Sequence, residues 1–69
     1  DIKADDSPLS HVPPQVAQAI LDRYPTARFV KAEREEENGR IRYEIEISVN
    51  GKEVDVEVSA AGRILEISD

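Results

Sequence analysis

The chain has no cysteine, no methionine and no tryptophan, and a single histidine among 69 residues. Without cysteine there is no disulfide, no thiolate zinc ligand and no thiol nucleophile; the compartment stays open, because exported proteins also do without cysteine. The one imidazole, His11, has no companion at ligand or catalytic spacing. Ser7, Ser10, Ser48, Ser59 and Ser68 have no base to activate them. No catalytic residue, metal or cofactor is therefore expected. Positive charge is also scarce: nine Lys and Arg face fifteen Asp and Glu, for a net −6. That balance argues against nucleic acid or an anionic membrane as partner. No apolar run approaches the length of a membrane span or a signal peptide, so no membrane insertion is expected. The chain starts at Asp1 without methionine, as removal of a signal peptide would leave it and as trimming during cloning would too. A chain this short forms one domain and buries only about 60% of its unfolded surface, a thin margin.

What is present is turn chemistry and alternation. Asn38-Gly39 and Asn50-Gly51 bracket Arg40 to Val49, in which apolar and polar residues alternate without a break. Asn-Gly readily takes the two positive-φ positions of a type I′ turn, so each pair reads as a hairpin bend. Asp1 to Val12 carries acids, a proline and little periodicity; it reads as a flexible leader, with a short helical turn around Leu9 to His11. The single domain then runs from 13 to 69. Pro13-Pro14 suits the first turn of a helix, and Val16, Ile20 and Tyr24, flanked by Ala17 and Leu21, form one apolar stripe over Pro14 to Tyr24. Pro25 disfavours helical geometry at Tyr24 and ends the helix. Strands follow at Arg28 to Glu37, Arg40 to Val49, Lys52 to Ser59 and Arg63 to Ser68.

Two-residue turns fix the register. Across Asn38-Gly39, Ala32 opposes Ile45 and Val30 opposes Ile47 on one face, while Lys31–Glu46, Glu35–Arg42 and Glu37–Arg40 pair on the other. Across Asn50-Gly51, Val54 meets Ile47, Val56 meets Ile45 and Val58 meets Tyr43. The last bend, Ser59 to Gly62, is ambiguous. An even loop turns Leu65 and Ile67 inward, a three-residue loop substitutes Ile64, and two apolar residues inside favour the even loop. The expected fold is α+β: one amphipathic helix on a four-stranded antiparallel meander, order 1-2-3-4, in two layers.

In order and spacing, Val12-Pro13-Pro14-Gln15-Val16, Arg23-Tyr24-Pro25-Thr26-Ala27, Asn38-Gly39, Tyr43-Glu44-Ile45-Glu46-Ile47, Gly51-Lys52-Glu53-Val54 and Ala60-Ala61-Gly62-Arg63-Ile64-Leu65 resemble the PepSY-like family. That family is similar in fold to a beta-lactamase-inhibitor protein repeat, and related modules occur in propeptides of secreted metallopeptidases. The resemblance implies a secreted or periplasmic, bacterial, non-enzymatic binding or inhibitory module with a protein partner, for instance a peptidase. It transfers no catalytic or inhibitory residue.

The register makes the open face acidic: Glu33 opposes Glu44, Glu44 opposes Glu57, and Glu46 opposes Asp55, with Glu53 close by. Such a face serves to keep a small sheet soluble, to dock a basic partner surface, or to hold a divalent cation weakly. Glycosidase-type chemistry would need a pocket that a flat sheet lacks. The three turn glycines do not open a helix and form no phosphate cradle. Phe29 falls on the open face by strict alternation, where it would be an interface anchor, unless a bulge at the strand start turns it inward. Ile64 has the same ambiguity. With Glu33, Glu44, Glu46, Asp55 and Glu57, these two complete the candidate partner-binding residues. The fourth strand, short and apolar, is the edge more open to strand addition or to a homodimer. An exported protein-binding module is thus the leading expectation. Its alternative is an accessory domain that pairs with itself or packs on a neighbouring domain.

Overall fold

The computed structural model describes residues 12–69. Helix α1 (Pro14–Arg23) is followed by β1 (Arg28–Glu37), β2 (Arg40–Val49), β3 (Lys52–Ser59) and β4 (Ile64–Ser68). The strands form one antiparallel sheet in the order β1-β2-β3-β4. The helix lies across one face and comes closest to β3. The α+β meander expected from the alternation is the observed architecture.

Local chemistry accounts for each boundary. Pro14 takes the first helical position, and the Pro13 carbonyl accepts from the Val16 and Ala17 amides at 3.0 and 3.2 Å. The helix ends one residue earlier than expected: Tyr24 swings to φ −130° ahead of Pro25, while its N–H still reaches the Ile20 carbonyl at 2.7 Å. Asn38 and Gly39 have φ of 55° and 78°, and Asn50 and Gly51 have 53° and 81°, the left-handed pairs that a type I′ turn requires.

Val16 and Ile20 of the helix meet Tyr43, Ile45 and Ile47 of β2 and Val54, Val56 and Val58 of β3. Among the described residues no polar or charged side chain is buried in that core. Val12, expected to close the leader, is instead buried. It precedes the N-cap, the place from which an apolar residue folds back over the first turn. The rest of the expected leader, including the turn around Leu9 to His11, lies outside the described residues.

Strict alternation fails twice. Phe29, not Val30, opposes Ile47, because the register shifts between Phe29 and Lys31. Phe29 therefore packs against the core and Val30 is 51% exposed. The expectation that Phe29 stands on the open face is corrected. Where either of two neighbouring apolar residues can face inward, the aromatic covers more surface, and a bulge lets it do so.

The second failure is at β4. The Ser59 amide bonds the Arg63 carbonyl at 2.8 Å and the Gly62 amide bonds the Ser59 carbonyl at 2.9 Å, closing a three-residue loop with Gly62 at φ 94°. Ile64 thus opposes Val58 and packs against the core, so it is not an outward anchor. A second shift, at Glu57/Val58, then returns Ile67 to the core side opposite Val56. Leu65, expected inside, is 51% exposed. The even loop is overturned, and Ile67, though opposite Val56, stays 36% exposed at the sheet edge.

Candidate functional site

Alternation along the strands carries one class of side chain to the face away from the helix. Glu33 opposes Glu44, Glu44 opposes Glu57, Glu57 opposes Glu66, Glu46 opposes Asp55, and Glu53 opposes Ser48. Two triplets of carboxylates result, Glu33–Glu35–Glu44 and Glu46–Glu53–Asp55, each with oxygens within 4.8 Å of one another. Shallow, solvent-open depressions lie between the rows. One is lined by Lys31, Glu33, Glu44, Glu46 and Asp55, another by Glu44, Asp55, Glu57, Glu66 and Ser68.

Arg42 is the main counter-charge. Its guanidinium reaches Glu37 at 3.2 Å and Glu35 at 3.5 Å, and its Nε abuts the Glu57 carboxylate. The Nε contact is one of charge, without the alignment of a hydrogen bond. Glu57 foremost raises the Arg42 pKa; desolvation opposes, and Glu37 and Glu35 add to the rise. Lys31 stands opposite Glu46 in register but pairs at 3.5 Å with Glu33, its neighbour on β1.

The crowding shows in two carboxyls. Glu44 has its pKa raised, first by side-chain hydrogen bonding with Glu35 and by that residue's charge, then by desolvation and the charges of Glu33 and Glu57. Glu46 is raised by a hydrogen bond to Glu53, by desolvation, and by the charges of Glu53 and Asp55, against a smaller lowering from Lys31. In both cases the anionic form is disfavoured chiefly by a diagonal carboxylate on the neighbouring strand, Glu35 for Glu44 and Glu53 for Glu46, and the directly opposed acids add to it. A guanidinium or ammonium group brought to this face would relieve that repulsion; hard cations, which take oxygen ligands, would do so too.

The structure thus brings Glu33, Glu44, Glu46, Asp55 and Glu57 onto one surface, and places Phe29 and Ile64 under the helix side instead. Sequence reasoning missed Glu66, although turning Ile67 inward already places it on the open face, and the convergence of Glu37 and Glu57 on Arg42. The latter was legible, since both residues lie one step diagonally from Arg42 across their turns.

Compared with protein families, residues 12–67 match the model of PepSY, described as "Peptidase propeptide and YPEB domain". The chain belongs to this family. No curated protein and no solved structure matches it. The PepSY match spans the helix, all four strands but the last residue of β4, and every residue of the acidic face. The family description links this PepSY domain to peptidase propeptides. No helix among the described residues is long and apolar enough to cross a membrane.

Proposed function

We propose that this PepSY domain is a non-enzymatic, exported binding module that docks a protein partner through its acidic sheet face, in a propeptide-like or peptidase-inhibitory role. The observation that carries the proposal is the unbalanced charge of that face. Glu44 lies directly between Glu33 and Glu57, and Glu46 faces Asp55 with Glu53 within the same triplet, although no core requirement puts these carboxylates there. A sheet that needed only solubility would alternate signs, as opposed pairs of unlike charge stabilise it and like pairs do not. A basic partner surface converts that cost into association energy and faster encounter. Membership of a family described by peptidase propeptides supports a peptidase as the partner class and an extracytoplasmic site of action.

The test is inhibition of the source's own exported peptidases by the purified domain, with Glu44, Glu46 and Asp55 changed to Lys together as the comparison. Loss of inhibition in the triple variant, and salt-weakened inhibition by the unchanged domain, are the expected results. Equal potency of the two proteins would refute docking through this face. A second proposal, self-association as an accessory domain, draws on the exposed Leu65 of the edge strand β4. Sedimentation decides it: a mass independent of concentration removes it.

A further inference from the structure

The sheet ends on β4, and among the described residues no strand pairs with its outer edge. Free backbone N–H and C=O groups at an edge invite strand addition, so edges are commonly guarded by charge, proline or a bulge. The opposite edge, β1, is guarded in this way: Lys31, Arg34 and Glu36 are exposed along it and a bulge interrupts it at Phe29/Lys31. On β4 the irregularity comes at the start. Beyond it Glu66, Ile67 and Ser68 run in register with Glu57, Val56 and Asp55, and Ile64 to Asp69 contains no proline, lysine or arginine.

The two sides of this edge differ in chemistry. Glu66 shares its face with Glu57 and Glu44 and borders the depression that Asp55 also lines. On the other side Ile67 is 36% exposed, and Leu65 along the same strand is 51% exposed. An added strand therefore meets acid and hydrocarbon at alternate positions. From this we infer that β4 is a β-augmentation site for an extended segment of the partner in which basic residues alternate with aliphatic ones. The basic side chains lie beside Glu66 and the aliphatic ones beside Ile67, with the exposed Leu65 at the bulge that heads the edge. Backbone bonds supply affinity and the alternating side chains supply selectivity. A second copy is a poor occupant, because each chain carries a net −6 and two acidic faces would be brought edge to edge. The inference rests on the docking role proposed above and adds to it where the partner's backbone lies.

The probe is a short peptide alternating lysine and valine, compared with the same peptide N-methylated on alternate backbone amides and with a glutamate–valine version. Binding is followed by amide chemical shifts and hydrogen exchange across the domain. The lysine–valine peptide is expected to shift and protect residues 64 to 68. N-methylation, and separately Leu65→Lys at an exposed position that leaves the fold intact, should each weaken binding about tenfold or more. The glutamate version should not bind. If the N-methylated peptide binds equally well and perturbs only β1 to β3, the edge inference is wrong while docking on the acidic face stands. Failure of the lysine–valine peptide to bind at millimolar concentration overturns the inference. So does a dimer that Leu65→Lys dissociates, which would make a second copy the occupant.

Discussion

Gly62→Ala tests the seam that holds the helix to the sheet. Gly62 closes the β3–β4 turn at φ 94°, and a Cβ there would stand 2.8 Å from the Gln15 carbonyl oxygen and 3.2 Å from its carbon. The Gln15 side chain clasps the same turn, donating from Nε2 to the Ala60 carbonyl at 2.9 Å. A methyl group therefore meets backbone, which has nowhere cheap to go. The left-handed conformation alone costs about 1–2 kcal/mol for a residue with a Cβ. Forcing the first turn of the helix away breaks the Gln15–Ala60 bond, for about 1 kcal/mol more. Gly39→Ala is the control: its φ of 78° imposes the same conformational cost, but a Cβ there meets nothing within 4 Å. Urea melts followed by circular dichroism should show Gly39→Ala losing about 1–2 kcal/mol and Gly62→Ala about 3, a large part of a small domain's stability. In thermal melts the gap between the variants should be about 4–8 °C or more. Equal losses at the two positions would refute the docking of the helix start against this turn.

Three further outcomes follow from the same structure. Ile45→Ala, at a fully buried site between helix and sheet, should cost about 2–5 kcal/mol and leave the domain largely unfolded at 37 °C by near-ultraviolet and far-ultraviolet dichroism. Glu44→Gln with Glu46→Gln should stabilise the domain at neutral pH. The folded state holds these two pKa values above their unfolded ones, so the wild-type stability they contribute is present below the ordinary glutamate range and lost as pH rises through the raised values. The advantage of the double variant should therefore vanish in acid, and a pH-independent difference would contradict this account. Both carboxyls are solvent-accessible, so salt should shrink the effect. Arg42→Met should lower the melting temperature at neutral pH and low salt, with much of the loss recovered in high salt, as three carboxylates lose their shared cation.

The hairpins were legible because Asn-Gly dictates both turn type and register within a few residues. The opposed carboxylates Glu33–Glu44–Glu57 and Glu46–Asp55 could then be placed by counting alone. Counting failed where two adjacent apolar residues compete for one inward position. Phe29 and Val30 present that choice, as do Ile64 and Leu65, and the outcome depends on how much area the helix can cover, which alternation does not encode. Gln15 carried no signal either, because its partner is a turn carbonyl forty-five residues away. The charge imbalance of the open face was visible from sequence, but the approach of the Glu35 and Glu44 carboxylates required the diagonal geometry of two twisted strands.

The strand order carries a kinetic consequence. Every strand pairs with its successor, so each ladder closes through a loop of two or three residues and no pairing waits on a distant segment. Such a chain has little loop-closure entropy to overcome before contacts form, which places it toward the fast end for sheet-containing domains. An unravelled copy should regain its shape within milliseconds, hairpin by hairpin from either Asn-Gly corner, with the helix settling onto an already assembled ribbon.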